Sequence, residues 1–217
     1  MTELIVIRHG ETDWNRQQRF QGQIDVPLNA LGQTQAQRLA QRMAREHVDA
    51  LWSSDLLRAH ATAEAVAQAL DLSTRTEPLW REQSFGILEG LDVPTIRREH
   101  APLWSQWLRY DADYALPGGE SVREFHARVM RALDILADSH AGQRVAVVTH
   151  GGVLDMLWRT AQGAPLHGPR TVDIPNTGLN VLRWRDGELE VLEWADAAHL
   201  EGLPEQPSTV QRRHDEG

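Results

Sequence analysis

Short, uninterrupted aliphatic runs alternate along this chain with longer stretches in which apolar positions recur every three or four residues. Glu3 to Arg8 carries Leu4, Ile5, Val6 and Ile7 in a row, and Arg144 to Thr149 repeats the pattern with Val145, Ala146, Val147 and Val148. Such runs suit strands buried on both faces and predict two central parallel strands. Ala50 to Ser53 reads as a third. Asn29 is a suitable N-cap for a helix reaching Glu46, with Ala36, Leu39, Ala40 and Met43 on one face. The alanine-rich run from Asp55 to Leu70 also reads as helix. A helix from Glu120 to about His140 offers Val122, Phe125, Val129 and Leu136 inward; another from Gly152 to Gln162 offers Leu154, Leu157, Trp158 and Ala161. Gly178 to Trp184 and Glu188 to Trp194, separated by Asp186 and Gly187, predict a terminal hairpin or meander. Strands alternating with helices predict an α/β fold of three layers, α/β/α, around a mainly parallel central sheet.

No internal repeat or linker interrupts this pattern, so residues 1–200 are expected to form a single domain. Within it, 92–119 is a less regular, lid-like insertion with Trp104, Trp107 and Tyr110 at helical spacing, which fits lid or core packing better than a substrate platform. Residues 201–217 form a polar tail with few apolar anchors and are expected to be flexible. Hydrophobic residues make up 41% of the 217, enough for a full core. The formal charge is −9 and no basic block occurs, which argues against nucleic acid or an anionic membrane as a partner. The N-terminal apolar run is too short for a signal peptide or a membrane span, so a cytoplasmic protein is expected.

Two absences narrow the chemistry further. The chain has no cysteine, and all 22 basic residues are arginine. Disulfides, thiolate metal sites and cysteine nucleophiles are excluded, as are Schiff bases, pyridoxal attachment and the P-loop lysine. Histidine, arginine, hydroxyls and carboxylates remain.

The first aliphatic strand runs into Arg8, His9, Gly10, Glu11 and Thr12, and the second ends in Thr149, His150, Gly151 and Gly152. Ligands of open parallel sheets bind beyond the carboxyl ends of strands. If these two strands are neighbours, both imidazoles and Arg8 face one crevice, where the amides of Gly151 and Gly152 open a helix whose N-terminus favours an anion. Such a crevice would bind phosphate. Other readings exist for single residues. Asp55 and Arg58 could form an exposed i,i+3 pair, and Glu82 could be a surface carboxylate beside Arg81.

RHGETDWN at the N-terminus, SSDLLRAHATAE at 53–64, LWREQSFGILEG at 79–90 and VVTHGG at 147–152 together resemble the histidine phosphatase superfamily, in the branch of cofactor-dependent phosphoglycerate mutases and small broad-specificity phosphatases. The resemblance runs in order from Leu4 to about Trp194. It implies a phosphoglycerate mutase-like fold, with His9 as the phosphate-accepting nucleophile, Arg8, Arg58 and His150 as the phosphate pocket, and Glu82 as the proton donor. It further implies phosphate or substrate contacts for Asn15, Gln21, Gly22 and Gly151, although Gln21 replaces the serine that mutases usually show. No metal and no cofactor are implied. The implied partner is a small-molecule phosphate ester, and the chain could be a monomer or a homodimer.

The phosphatase branch is favoured over the mutases. Phe85 falls where mutases carry a tyrosine, Val93 falls where they carry a carboxylate-binding lysine, and the segment between Glu82 and His150 is shorter than in mutases, leaving phosphohistidine more open to water. The expected activity is therefore metal-independent phosphomonoester hydrolysis through phosphohistidine, with cofactor-dependent phosphoglycerate mutase as the alternative. A binding module that has lost catalysis is disfavoured because both His9 and Glu82 are in place. A histidine-ligated metalloenzyme is disfavoured because neither His9 nor His150 has an acidic cluster or HxH spacing nearby.

Overall fold

The computed structural model describes residues 1–211; the end of the predicted tail, 212–217, lies outside the described residues. One six-stranded sheet forms the centre. Its strands are β1 (Thr2–Arg8), β2 (Ala50–Ser53), β3 (Thr74–Thr76), β4 (Arg144–Thr149), β5 (Leu179–Arg185) and β6 (Glu188–Asp196), in the spatial order β3-β2-β4-β1-β5-β6. β3, β2, β4 and β1 are mutually parallel, whereas β5 runs antiparallel to β1 and β6 antiparallel to β5. The sheet is thus mixed and mostly parallel, as the aliphatic runs predict. β1 and β4 are direct neighbours, with Arg8 opposite Thr149.

Helices cover both faces. α2 (Ala30–Met43) and α3 (Leu57–Leu70) close one face over Ile5, Ile7, Ala146 and Val148. α6 (Val122–Ser139) and α7 (Gly151–Gln162) close the other over Leu4, Val6, Val145 and Val147. Alternate residues of β1 and β4 therefore feed opposite cores, which is why both strands are apolar throughout. Asn29 caps α2 by accepting from the Gly32 N–H at 2.8 Å. Ser121 and Glu124 form a capping box that starts α6.

Several short elements escape the sequence pattern, the edge strand β3 among them. α1 (Asp13–Arg16) is a single turn held by a Thr12–Asn15 capping box. The 92–119 stretch is more regular than expected: α4 (Val93–Glu99) and α5 (Ala101–Trp107) occupy its first half. Leu88, Ile96 and Leu116 form a small separate core there, packed by Phe20, Phe85, Trp104 and Trp107. Each helix carries a proline in its first turn, where the missing N–H costs nothing. The described part of the tail is tied to the 170–176 loop. Asn176 N–H donates to Gln206 Oε1 at 2.7 Å, Ile174 N–H to Thr209 Oγ1 at 2.7 Å, and Gln211 N–H to the Arg170 carbonyl at 2.9 Å. Among the described residues no helix is long and apolar enough to cross a membrane.

One close approach fixes the loop after β1. A Cβ on Gly10 would lie 2.5 Å from the Gly32 carbonyl oxygen, and one on Gly32 would lie 2.0 Å from the Glu11 carbonyl oxygen. Glycine to alanine inside a helix ordinarily stabilises by about 1 kcal/mol. Here the added methyl meets backbone, so Gly32→Ala is expected to destabilise the protein by about 1–3 kcal/mol in urea unfolding; a stabilised variant would refute the close approach.

Candidate active site

The carboxyl ends of β1 and β4 bring Arg8, His9 and His150 together. His9 N–H donates to the Thr149 carbonyl at 2.9 Å, extending the β1–β4 ladder by one residue beyond the strands. The two imidazole centroids lie 5.2 Å apart. His9 is 3% exposed and His150 fully buried. His9 Nδ1 lies 2.7 Å from the Gly10 carbonyl oxygen. A carbonyl can only accept, so Nδ1 carries the proton and Nε2 keeps its lone pair. On His150 it is Nε2 that is engaged, 2.8 Å from Ser54 Oγ, while Nδ1 is buried with no partner among the described residues.

Arg58 joins them from the first turn of α3, fully buried. Its two terminal nitrogens donate to the carbonyls of Gly22 at 2.7 Å and Ile24 at 2.9 Å. The exposed Asp55–Arg58 pair is therefore not formed. Asp55 instead takes a bidentate bond from Arg81, at 2.7 and 2.6 Å. That pairing also leaves Glu82 free of Arg81. Glu82 Oε2 accepts from Gly152 N–H at 3.0 Å and Oε1 from Gln83 N–H at 2.8 Å. A Cβ on Gly152 would sit 2.0 Å from Glu82 Oε1, so this glycine gives the carboxylate its place. The Gly152 amide is thereby spent on Glu82, and of the two amides expected to face an anion only that of Gly151, the first residue of α7, is not so engaged.

A cavity of about 250 Å³ is lined by Arg8, His9, Asn15, Gln21, Gly22, Arg58 and Glu82. The structure thus gathers on one cavity seven of the nine residues singled out in the sequence. His150 and Gly151 lie directly behind, against His9 and Arg8. Asn15 and Gln21 are tied to one another through the Thr12 hydroxyl, 3.1 Å from each side-chain oxygen.

Several participants carry no local sequence signal. Arg170 lines the same cavity and stands beside Arg8, whose guanidinium donates to the Ile174 carbonyl at 2.7 Å. Thr62 accepts from Gly10 N–H at 3.1 Å, and Asn176 donates its side-chain amide to the His9 carbonyl at 2.8 Å. Trp107 and Gln211 also reach the cavity, the first from α5 and the second from the tail. Arg170, Asn176, Trp107 and Gln211 are distant in the chain from the histidine motifs, whereas Thr62 and Ser54 fall inside the 53–64 motif, which singled out neither of them.

The electrostatics follow from burial and from like charge. Burial, then the cations of Arg58 and Arg8, pushes His9 well below the ordinary histidine value; burial and Arg58 do the same to His150. Both rings are neutral at neutral pH. Burial lowers Arg8 and Arg58 to about 10, which leaves each cationic. Arg8, Arg58 and Arg170 each present a buried Nε with no partner among the described residues. Buried donors without partners are rare and ask for a ligand. Three guanidinium groups around one cavity fit an oxyanion, and phosphate matches their fork geometry.

Residues 4–197 match the histidine phosphatase superfamily (branch 1). The chain is 36% identical to phosphoglycerate mutase-like protein 4 of Arabidopsis thaliana, over 92% of this chain and 87% of that one. Among solved structures it is similar to YhfR of Bacillus stearothermophilus (TM-score 0.84, 30% identity, covering 93% of this chain and 100% of that one). It is also similar to a mycobacterial glucosyl-3-phosphoglycerate phosphatase (TM-score 0.77, 29% identity, 88% and 98%). With a family match over nearly its whole length and a phosphoglycerate mutase-like fold, this chain belongs to branch 1 of the histidine phosphatase superfamily and is a histidine phosphatase family enzyme.

Proposed function

We propose that the protein hydrolyses small phosphomonoesters without a metal, through a phosphohistidine on His9 with Glu82 as the proton carrier. The observation that carries this reading is the His9 ring itself, held with Nδ1 on the Gly10 carbonyl and Nε2 unprotonated, in a cavity it shares with Arg8, Arg58 and Glu82. Phosphoryl transfer needs an in-line nucleophile and fixed positive charge about the equatorial oxygens. The arginines supply that charge, and His150, fixed by Ser54, offers a further nitrogen.

In the first step His9 Nε2 attacks phosphorus. The P–N bond forms as the bond to the ester oxygen breaks, and protonated Glu82 passes its proton to the departing alkoxide. In the second step ionised Glu82 takes a proton from water as the water oxygen attacks phosphorus. The P–N bond then breaks, its electron pair returns to Nε2, and inorganic phosphate leaves with Glu82 protonated again. One carboxyl serves both halves because the two N–H groups that hold it fix its position.

Mutase activity would need the phosphohistidine to outlast product exchange and a cation to read a carboxylate. Val93, at the start of α4, supplies no cation, and it is absent from the residues lining the cavity. Hydrolysis is accordingly favoured over interconversion of 3- and 2-phosphoglycerate. A mutase would sustain that interconversion after priming with 2,3-bisphosphoglycerate, faster than it releases phosphate.

With chelator present, the wild type is expected to release phosphate from small monoesters, and His9→Ala to lose on the order of 10³-fold or more in kcat. Activity that vanishes in chelator, or that survives in His9→Ala, contradicts the proposal. Glu82→Gln should cost about 10²–10⁴-fold on alkyl phosphates, which need a protonated leaving oxygen, and far less on p-nitrophenyl phosphate, which does not. Equal losses on the two esters would remove Glu82 from the proton-donor role. Because His9 is held neutral by burial and two cations, the acid limb of kcat/KM assigned to it should lie well below pH 6.5. A profile in which His9 protonates at or above pH 6.5, followed by NMR of the ring, would show that the buried cations do not act on it.

A further inference from the structure

Beyond the phosphate crevice the cavity opens into a second chamber of about 110 Å³. That is well above the roughly 10–15 Å³ that one water requires. The two spaces share Glu82, Phe85, Trp107, Arg170 and Gln211, so a group expelled from phosphorus on the Glu82 side lies at the chamber's entrance. Aromatic rings of Trp107, Tyr110, Tyr114 and Phe125 form much of its wall.

Its polar residues are unequal. Arg159 is fully committed: it donates to the carbonyls of Pro165, His167, Gly168 and Pro169, at 2.7 to 3.3 Å, and to Asp155 Oδ2 at 3.1 Å. Glu120 is committed too, bridged by Arg128 and by the Ser84 N–H. Asp155 is not. It is 7% exposed, and its Oδ1 is buried with no hydrogen-bond partner among the described residues. Arg170 Nε stands 3.9 Å from Asp155 Oδ2, beyond hydrogen-bond distance, and is likewise without a partner. The chamber therefore offers one unsatisfied acceptor beside one unsatisfied donor, next to flat apolar walls.

We propose that this chamber is the leaving-group subsite and that Asp155 and Arg170 select a neutral, polyhydroxylated phosphomonoester of the sugar or polyol type. This rests on the phosphomonoesterase reading above. A hydroxyl is the group that satisfies both residues, donating to Asp155 Oδ1 while accepting from Arg170. An ammonium would sit beside two guanidinium groups, and a carboxylate drawn to Arg170 would face Asp155, so charged leaving groups meet repulsion that a hydroxyl does not. Aromatic faces complement the C–H faces of such a molecule. A site built to hydrogen-bond hydroxyls also rejects the analogue that lacks them, because its own buried groups are then left unpaired.

The test compares glucose 6-phosphate with n-hexyl phosphate, which has the same carbon count and no hydroxyls. The wild type is expected to favour the sugar ester at least about tenfold in kcat/KM. Asp155→Asn, which keeps the side chain's shape, should cut that preference about tenfold, mainly through KM. Equal or better turnover of hexyl phosphate by the wild type overturns the subsite and leaves the phosphomonoesterase reading standing, with no variant required to fold. Calorimetric binding of both esters to His9→Ala reads the chamber without turnover. Tighter binding of the sugar ester there sustains the subsite even if no ester is hydrolysed, a result that would sink the hydrolysis reading alone; equal binding overturns the subsite.

Discussion

Concentrating cations and imidazoles in one buried crevice is the constraint to which the rest of this structure answers. Two like unit charges 4 Å apart repel by about 4 kcal/mol at an effective dielectric of 20, and burial adds a desolvation penalty to each. Three features hold the cluster together. Arg58 spends two nitrogens on the carbonyls of Gly22 and Ile24, and Arg8 spends one on Ile174, so backbone dipoles replace lost water. The histidines stay neutral and add no charge. Glu82 supplies a nearby negative charge that favours both arginines. What remains unsatisfied is a set of guanidinium N–H groups aimed at an anion's place, and a phosphate dianion removes the repulsion that its absence leaves.

This arrangement depends on strand order. β4 returns to lie directly beside β1 although most of the chain separates them, and only that crossover sets His150 against His9. The loop after β1 is then locked from several sides at once. Gly10 packs against Gly32, Thr62 and Asn176 bond to the backbone of residues 9 and 10, and Thr177 N–H donates to the Arg8 carbonyl at 2.9 Å. The tail segment from Gln206 to Gln211 in turn braces the 170–176 loop. The nucleophile proposed for this site would tolerate little displacement in meeting phosphorus in line, and its backbone is held jointly by the Thr62 hydroxyl, the Asn176 side-chain amide and the Thr177 N–H.

The sheet was legible because aliphatic runs such as 4–7 and 145–148 have no competing reading in a chain with clear helical periodicity elsewhere. The histidine pair was legible because it follows those runs directly. Arg58 was ambiguous for a physical reason: spacing sets Asp55 and Arg58 on adjacent helical positions, but the chain does not show that Arg81, from a distant loop, captures Asp55. Arg170, Asn176 and Gln211 were invisible because each lies outside the motifs and acts across a long sequence separation through a backbone atom or a cavity wall. α4 and α5 were blurred by prolines and by aromatic residues that pack on a satellite core rather than on the sheet.

The parts of the site also divide by origin, and the division bears on how one chemistry serves different substrates. His9, Arg8 and His150 stand at the ends of the central strands, and Arg58 opens a helix packed on that sheet; in the proposed reaction these four meet the phosphoryl group, which every phosphomonoester shares, while Gly152 holds Glu82. Trp107, Tyr110, Asp155 and Arg170 come from the insertion, the outer face of α7 and the loop that Arg159 holds in place. Of these, Tyr110 and Asp155 line the chamber alone, whereas Trp107 and Arg170 line the phosphate crevice as well. The rigid half can therefore stay unchanged while the outer half is rebuilt, because no hydrogen bond of the nucleophile runs through the chamber walls. Glu82 belongs to both spaces, as do Phe85, Trp107, Arg170 and Gln211, and in the proposed reaction it is the shared group that exchanges a proton with the leaving oxygen, held in place by α7.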